Sequence, residues 1–338
     1  MDSTLPFFVA EISANHQGKL SKAHKLVEAA SEAGADAVKF QTYTADTMTL
    51  DLEKFKISTD HKLWGNRKLY DLYDEAHTPW DWHSELFDHA SELGLVPFST
   101  PFDISAVKFL EKLNCPIYKI ASLETGDLEL IEAVAKTGKP CFLSTGATNF
   151  NEVEEAVDCF LSTGNNELTL LVCTSSYPAT PSDAHVSRIN LLKKEFNLNI
   201  GLSDHTLGIG ASLAAIALGA TVVEKHLTID RNEGGLDSQF SMEPAEFKFM
   251  VEQGKIARLS LGNPEWNFLE SEKESRKLRR SLYIVRDVLK GEIITKDNVR
   301  AIRPGEGSNP KILKTIIGKK FNRNLELGTP MDIEFVDD

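Results

Sequence analysis

"NIGLSDHTLGIGASLAAIALGATVVEKHLT", residues 199–228, is the stretch on which the fold is decided. An alternating run, NIGLSDH, hands over to an Ala-rich segment ending in Gly219, and a β-branched run, TVVEKHLT, follows at once. Strand, helix and strand in that order, within roughly thirty residues, make a βαβ unit of a parallel sheet. Both strands end in polar groups that a buried strand has no use for: Asp204 and His205 in one, Glu224, Lys225 and His226 in the other. The question is whether the two histidines are separate core residues or one site.

Outward from that unit the same texture repeats. Strand-like runs occur at 7–13, 37–41, 95–100, 117–122, 140–145, 168–175, 199–205 and 221–228, each followed by a helix-length segment with apolar residues at three-to-four spacing. Gly34, Gly94, Gly138, Gly164 and Gly219 stand where helix ends favour a left-handed residue. Eight such repeats over about 260 residues are the count and length of a (β/α)8 TIM barrel, an α/β fold. A doubly wound open sheet is the alternative, and the lack of a glycine-rich dinucleotide loop favours closure. In a barrel the polar strand ends, including Glu11, Lys39, Gln41, Thr100, Lys119, Ser122 and Ser144, converge on one mouth.

The barrel is expected over 1–262, a charged linker over 263–280, and a small β-rich C-terminal domain over 281–338. The connection 44–78 is too long and too aromatic for ordinary barrel wiring, and is expected to wall the mouth; a helical excursion without function is the other reading.

A net charge of −13 argues against a nucleic-acid or anionic-membrane surface, so an anionic substrate must be drawn by a local pocket. The four cysteines are widely spaced and suit reduced thiols in the cytoplasm. The N-terminal apolar run follows an acid and is too short for a signal peptide.

His205 and His226, at the ends of neighbouring strands, are candidate metal ligands. Two histidines are fewer than a catalytic zinc site uses, so a divalent ion completed by water and substrate is expected: Mn²⁺ first, Mg²⁺ or Co²⁺ otherwise. Lys39, Thr100, Lys119, Ser122, Ser144 and Ser203 combine two ammonium groups with hydroxyls, as a phosphate or carboxylate ligand requires. A strand-end lysine also suits a Schiff-base nucleophile, an alternative that the residues leave open. Glu11, Glu124 and Asp237 are the candidate acids.

The ordered motifs AEISANHQGKLSKAHKLVEAASEAGADAVKFQT (10–42), FSTPFD (98–103), YKIAS followed by Glu124, LSTGAT (143–148), GLSDHT (201–206), EKHLT (224–228) and AIRPGEG (301–307) resemble the sialic acid synthase family over nearly the whole chain. LYDLYDEAHTPWDWH (69–83) resembles its pseudaminic acid synthase branch in particular. The resemblance implies a barrel that condenses phosphoenolpyruvate with an N-acetylated amino-sugar aldehyde, followed by an antifreeze-like (SAF) domain. It also implies a homodimer in which that domain caps the partner's barrel. His205 and His226 then match metal ligands, and Lys39, Thr100, Lys119, Ser122, Ser144 and Ser203 match phosphoenolpyruvate contacts. Glu11 and Asp237 match acid-base carboxylates; Gln41, Glu124 and Tyr177 match sugar contacts; Arg303 matches an arginine that reaches across the dimer. Ser175 departs from the asparagine that sialic acid synthases tend to carry, which favours a 6-deoxy-2,4-diacetamido sugar over N-acetylmannosamine. A legionaminic or N-acetylneuraminic acid synthase is the alternative enzyme, and a sugar-binding protein working through its C-terminal domain the non-catalytic one.

Overall fold

Eight parallel strands close on themselves: β1 Phe7–Glu11, β2 Ala37–Thr42, β3 Val96–Pro101, β4 Tyr118–Ile120, β5 Cys141–Ser144, β6 Leu168–Cys173, β7 Asn199–Asp204 and β8 Val222–His226, with β8 paired back to β1. The structure, a computed structural model, describes residues 5–61 and 63–337; residues 1–4 of the acidic N-terminus and position 62 of the long connection lie outside them. The chain divides into two compact units, Met1–Gly262 and Asn263–Asp338.

Among the described residues a helix follows each strand: α1 Leu20–Glu32, α2 Trp82–Glu92, α3 Ile104–Lys112, α4 Leu128–Ala135, α5 Phe150–Ser162, α6 Arg188–Phe196, α7 Gly210–Ala217 and α8 Pro244–Ser260. Their apolar stripes are buried, as Leu26 and Val27 in α1 or Val153, Val157 and Phe160 in α5 illustrate. Local signals start them: Asp103 accepts hydrogen bonds from the backbone N–H groups of Ser105 and Ala106 at the head of α3, and Asn149 and Glu152 form a capping box on α5. His16 and Asn15 lie in a 3-10 turn after β1 and are fully buried, which their place in a turn did not signal.

Period-two alternation decides what faces the barrel axis. In β7, Gly201 and Ser203 share one phase, and in β8, Val222, Glu224 and His226 do; Asp204 and Lys225 belong to the other. The outer phase is satisfied between barrel and helices. Lys225 Nζ donates to Asp204 Oδ2 at 2.8 Å, and Asp204 also accepts from Thr206 and from Ser212 on α7. Asp204 therefore ties the turn after β7 to β8 and α7, and makes no hydrogen bond to His205.

Between β2 and α2 the connection builds two short helices, Ala45–Met48 and Leu69–Ala76, rather than an open loop. In the second unit, Ser281–Ile284 and Val299–Ile302 pair antiparallel, whereas the segments near 320 and 333 contribute isolated bridges and a 3-10 turn, Ile333–Phe335. They still close a small core of Leu282, Ile284, Val299, Phe321 and Met331. The 263–280 segment groups with this unit, and Lys277 O accepts from Gly305 N at 2.8 Å.

Gly201 shows how tightly the barrel interior is filled. A β-carbon there would stand 2.6 Å from Leu171 Cδ2 and 2.6 Å from the Val222 carbonyl oxygen, neither of which can retreat within a packed strand layer. Gly201→Ala is expected to lose about 1–3 kcal/mol of stability, read by urea denaturation; an unchanged midpoint would show that the layer has slack.

Candidate functional site

The strand ends enclose a cavity of about 440 Å³ at the barrel mouth. Lys39, Lys119, Ser122, Ser144, Cys173, Ser203, His205, Glu224 and His226 form its floor. Register puts these groups together: Glu11 is paired with both Lys39 and His226, and Ser203 with Glu224.

Charge on the floor is shared unevenly. Lys39 Nζ lies 2.5 Å from Glu11 Oε2 and 3.7 Å from Glu224 Oε1, and donates to Thr100 Oγ1 at 3.1 Å. Burial pushes the Glu11 carboxyl up to about 7 against the pull of Lys39, with the Glu224 charge adding to the push. Burial acts on Glu224 too, but Lys39, Lys119, a 2.9 Å hydrogen bond from Ser203 Oγ and His205 outweigh it and hold that carboxyl below its ordinary range. Of two carboxylates around one ammonium, the one with more donors keeps the charge. Lys39 itself stays protonated, since its two carboxylates outweigh burial.

Lys119 differs. Its Nζ donates to Ser144 Oγ at 2.6 Å and to the Ile120 carbonyl at 2.8 Å, and no carboxylate forms an ion pair with it among the described residues. Burial lowers its pKa despite Glu224. Two buried ammonium groups and one ionised carboxylate leave the floor short of negative charge, the condition for drawing in an anion.

The two histidines stand side by side, with ring centroids 5.2 Å apart and Phe240 against both. His205 Nδ1 donates to the Thr174 carbonyl at 3.0 Å, which leaves Nε2 as the acceptor. Burial, with His205 and Lys39 nearby, holds His226 well below its ordinary pKa, and its buried Nδ1 has no hydrogen-bond partner. Burial acts on His205 too, but Cys173 and the Thr174 carbonyl outweigh it and raise the pKa, so His226 is the imidazole held neutral, and His205 offers Nε2 once deprotonated; imidazole lone pairs of this kind are metal-ligand chemistry. Among the described residues no third His, Cys, Asp or Glu joins them, so the pair fits an ion completed by water and substrate oxygens and does not fit a closed zinc site. Cys173 Sγ, 3.8 Å from His205 Nδ1, lies on the side of the ring already bound to Thr174.

Buried side-chain atoms without a hydrogen-bond partner gather here. Glu11 Oε1, Glu124 Oε2, Ser175 Oγ, Glu224 Oε2 and His226 Nδ1 are among them, and His89 Nε2 is the exception found elsewhere. Such groups are rare in folded proteins and mark places where a ligand or water completes the network. Burial raises Glu124 to about 7 and raises the pKa of Asp237, which accepts a hydrogen bond from Ser13 Oγ.

Of the residues singled out from sequence, Gln41, Glu124, Ser175, Tyr177 and Asp237 line the same cavity as the floor. Thr100 and Glu11 do not. Both are fully buried and both contact Lys39, which does line it. Arg303 lies exposed in the second unit, just past Val299–Ile302. Glu224 was seen at a strand end but given no role, although its spacing from His226 already placed both on one face. Trp64 and Ser13 were also missed.

The chain matches the NeuB family over residues 26–265 and the SAF domain over 279–332. It is 41% identical over 322 residues to a pseudaminic acid synthase of Campylobacter jejuni, covering 95% of this chain and 94% of that protein. An N,N'-diacetyllegionaminic acid synthase of the same species is 36% identical, covering 94% and 96%. The crystal structure of an N-acetylneuraminic acid synthetase from Leptospira borgpetersenii in complex with citrate superposes with a TM-score of 0.73 at 32% identity, over 81% of this chain and 90% of that one.

The Glu11 reading has a consequence for stability. Its folded pKa of about 7 lies above the ordinary 4.5, so its contribution is fully present below pH 4.5 and is lost as pH rises through 7. Glu11→Gln is expected to gain on the wild type in melting temperature between about pH 4.5 and 8. Parallel curves would contradict it.

Proposed function

The chain belongs to the NeuB family, and from that premise we propose that it condenses phosphoenolpyruvate with 2,4-diacetamido-2,4,6-trideoxy-L-altrose and water, giving pseudaminic acid and phosphate. The observation that carries the reading is the uncompensated Lys119 beside the shared Lys39, ringed by the hydroxyls of Ser122, Ser144 and Ser203. A phosphate and a carboxylate on one small molecule supply the missing charge and accept from those donors.

In this reading Lys39 and Lys119 hold the two anionic groups, and Thr100 supports Lys39. Gln41, Glu124, Ser175 and Tyr177 face the sugar, and Glu124 Oε2 and Ser175 Oγ are buried acceptors awaiting its hydroxyl and amide groups. C3 of phosphoenolpyruvate bonds to the aldehyde carbon, whose oxygen takes the C=O electron pair and becomes a hydroxyl. Water adds at C2, and the C2–O bond then breaks to release phosphate as the C2 hydroxyl becomes a carbonyl and gives up the proton that the new hydroxyl takes. His205 and His226 are the residues that hold a divalent ion, Mn²⁺ by preference, which supplies Lewis-acid polarisation of the aldehyde oxygen when bound. Asp237, which lines the cavity and has a raised proton affinity, takes the water's proton and returns it to the departing phosphate. Glu11, the other acid-base carboxylate that the resemblance implies, pairs with Lys39 and sets the charge that lysine presents.

The family resemblance adds a homodimer in which Arg303 of one chain reaches the acylamino sugar in its partner's barrel. Unpaired cysteines suit a cytoplasmic setting, and no described helix is long and apolar enough to cross a membrane.

Phosphate release from phosphoenolpyruvate tests the proposal, measured with a panel of N-acetylated hexoses, Mn²⁺ and EDTA. Release is expected with the 2,4-diacetamido-6-deoxy sugar, stopped by EDTA and restored by Mn²⁺. Release only with N-acetylmannosamine would move the substrate within the family. No release with any sugar, or a borohydride-trapped pyruvate adduct on Lys119, would overturn the mechanism.

A further inference from the structure

The connection between β2 and α2 supplies one side of the cavity, and that side is chemically unlike the floor. Met48, Ile57, Leu69, Leu72 and Ala76 line it, joined by Phe102 from beyond β3, and the rings of His61, Trp64 and Tyr73 complete it. All but the buried Leu72 are half-buried. None of the aliphatic side chains, nor Phe102, carries a strong hydrogen-bond donor or acceptor, so a hydroxyl brought against them would give up water without replacement.

This wall is fixed. Trp64 Nε1 donates to the Leu236 carbonyl at 3.1 Å, next to Asp237, while its ring stacks on His61 at 4.9 Å and leans on Tyr177 at 5.8 Å. Tyr177 in turn lies 4.6 Å from His205. At the base of the connection, Lys68 pairs with Asp51 at 2.6 Å and with Asp71 at 3.1 Å. Contacts to Leu236 and Tyr177 thus tie the apolar face to the side of the cavity that holds His205.

An open-chain hexose whose aldehyde lies among the histidines and lysines of the floor extends its other end away from them. Taking the proposed condensation as given, we infer that the 44–78 connection is the specificity wall for C6: it receives a methyl group there and selects 6-deoxy sugars over their 6-hydroxy counterparts. A hydrophobic wall rejects an added hydroxyl by roughly 10- to 100-fold, because the rejected group loses hydrogen bonds and meets no steric bar.

The test compares 2,4-diacetamido-2,4,6-trideoxy-L-altrose with the same sugar carrying a C6 hydroxyl, by phosphate release and, with phosphoenolpyruvate left out, by calorimetric binding. Wild-type protein is expected to prefer the deoxy sugar by roughly 10- to 100-fold in kcat/KM and in affinity. Leu69→Gln and Ile57→Asn are expected to bring that ratio toward unity, whereas Leu69→Met keeps it and controls for folding. Equal use of both sugars by the wild type, or an unchanged ratio in folded Leu69→Gln and Ile57→Asn, overturns the wall while leaving the condensation intact. Preferential binding of the deoxy sugar without phosphate release upholds the wall and sinks the condensation; binding of neither sugar overturns the wall.

Discussion

One ammonium group, Lys39 Nζ, holds together the seam at which the barrel closes. It lies between Glu11 of β1 and Glu224 of β8, so three neighbouring strands meet through a single buried charge. A buried ion pair broken on one side leaves the other charge stranded at a cost of about 3–5 kcal/mol. The same arrangement divides the proton between the two carboxylates: Glu224, supplied with donors, stays ionised, and Glu11 holds its proton to near neutrality.

From that division follows the character of the site. With the Glu11 proton affinity raised and Glu224 held ionised, the base of the cavity carries two lysines against one firmly ionised carboxylate, although the chain as a whole carries −13. Lysines and hydroxyls form the floor, the two imidazoles stand beside them, and the connection from β2 turns a largely apolar face to the same cavity. Each layer asks something different of a ligand: charge, then a polarisable oxygen, then a surface without hydroxyls.

Much of this was legible in the sequence, for a physical reason. A parallel barrel imposes two periods, one along each strand and one from repeat to repeat, and polar residues that break the apolar pattern at strand ends can go only to the mouth. His205, His226, Lys39 and Lys119 were found in that way. Glu224 was within reach of the same rule and was passed over, because Lys225 beside it made the whole triplet look polar; only the alternation separates the inner pair from the outer lysine. Depth was not legible. Thr100 and Glu11 sit at the proper strand ends, yet contact Lys39 and do not line the cavity, and nothing in strand spacing tells which of two neighbours on the same rim reaches it. The connection 44–78 followed no period, so its fold rested on contacts such as Trp64 to Leu236, distant in the chain and invisible to local patterning.

The central claim is that, of the two carboxylates sharing Lys39, Glu11 binds a proton more readily than a carboxylate ordinarily does and Glu224 less readily. Infrared difference spectroscopy across a pH titration reads it directly, by comparing wild type with Glu11→Gln and Glu224→Gln. The account predicts a carboxylic acid signal that persists to near neutral pH in the wild type, is missing in Glu11→Gln, and moves to lower pH in Glu224→Gln, where Glu11 becomes the only carboxylate on Lys39. A wild-type spectrum unaltered by Glu11→Gln, with the proton lost instead in Glu224→Gln, would contradict it.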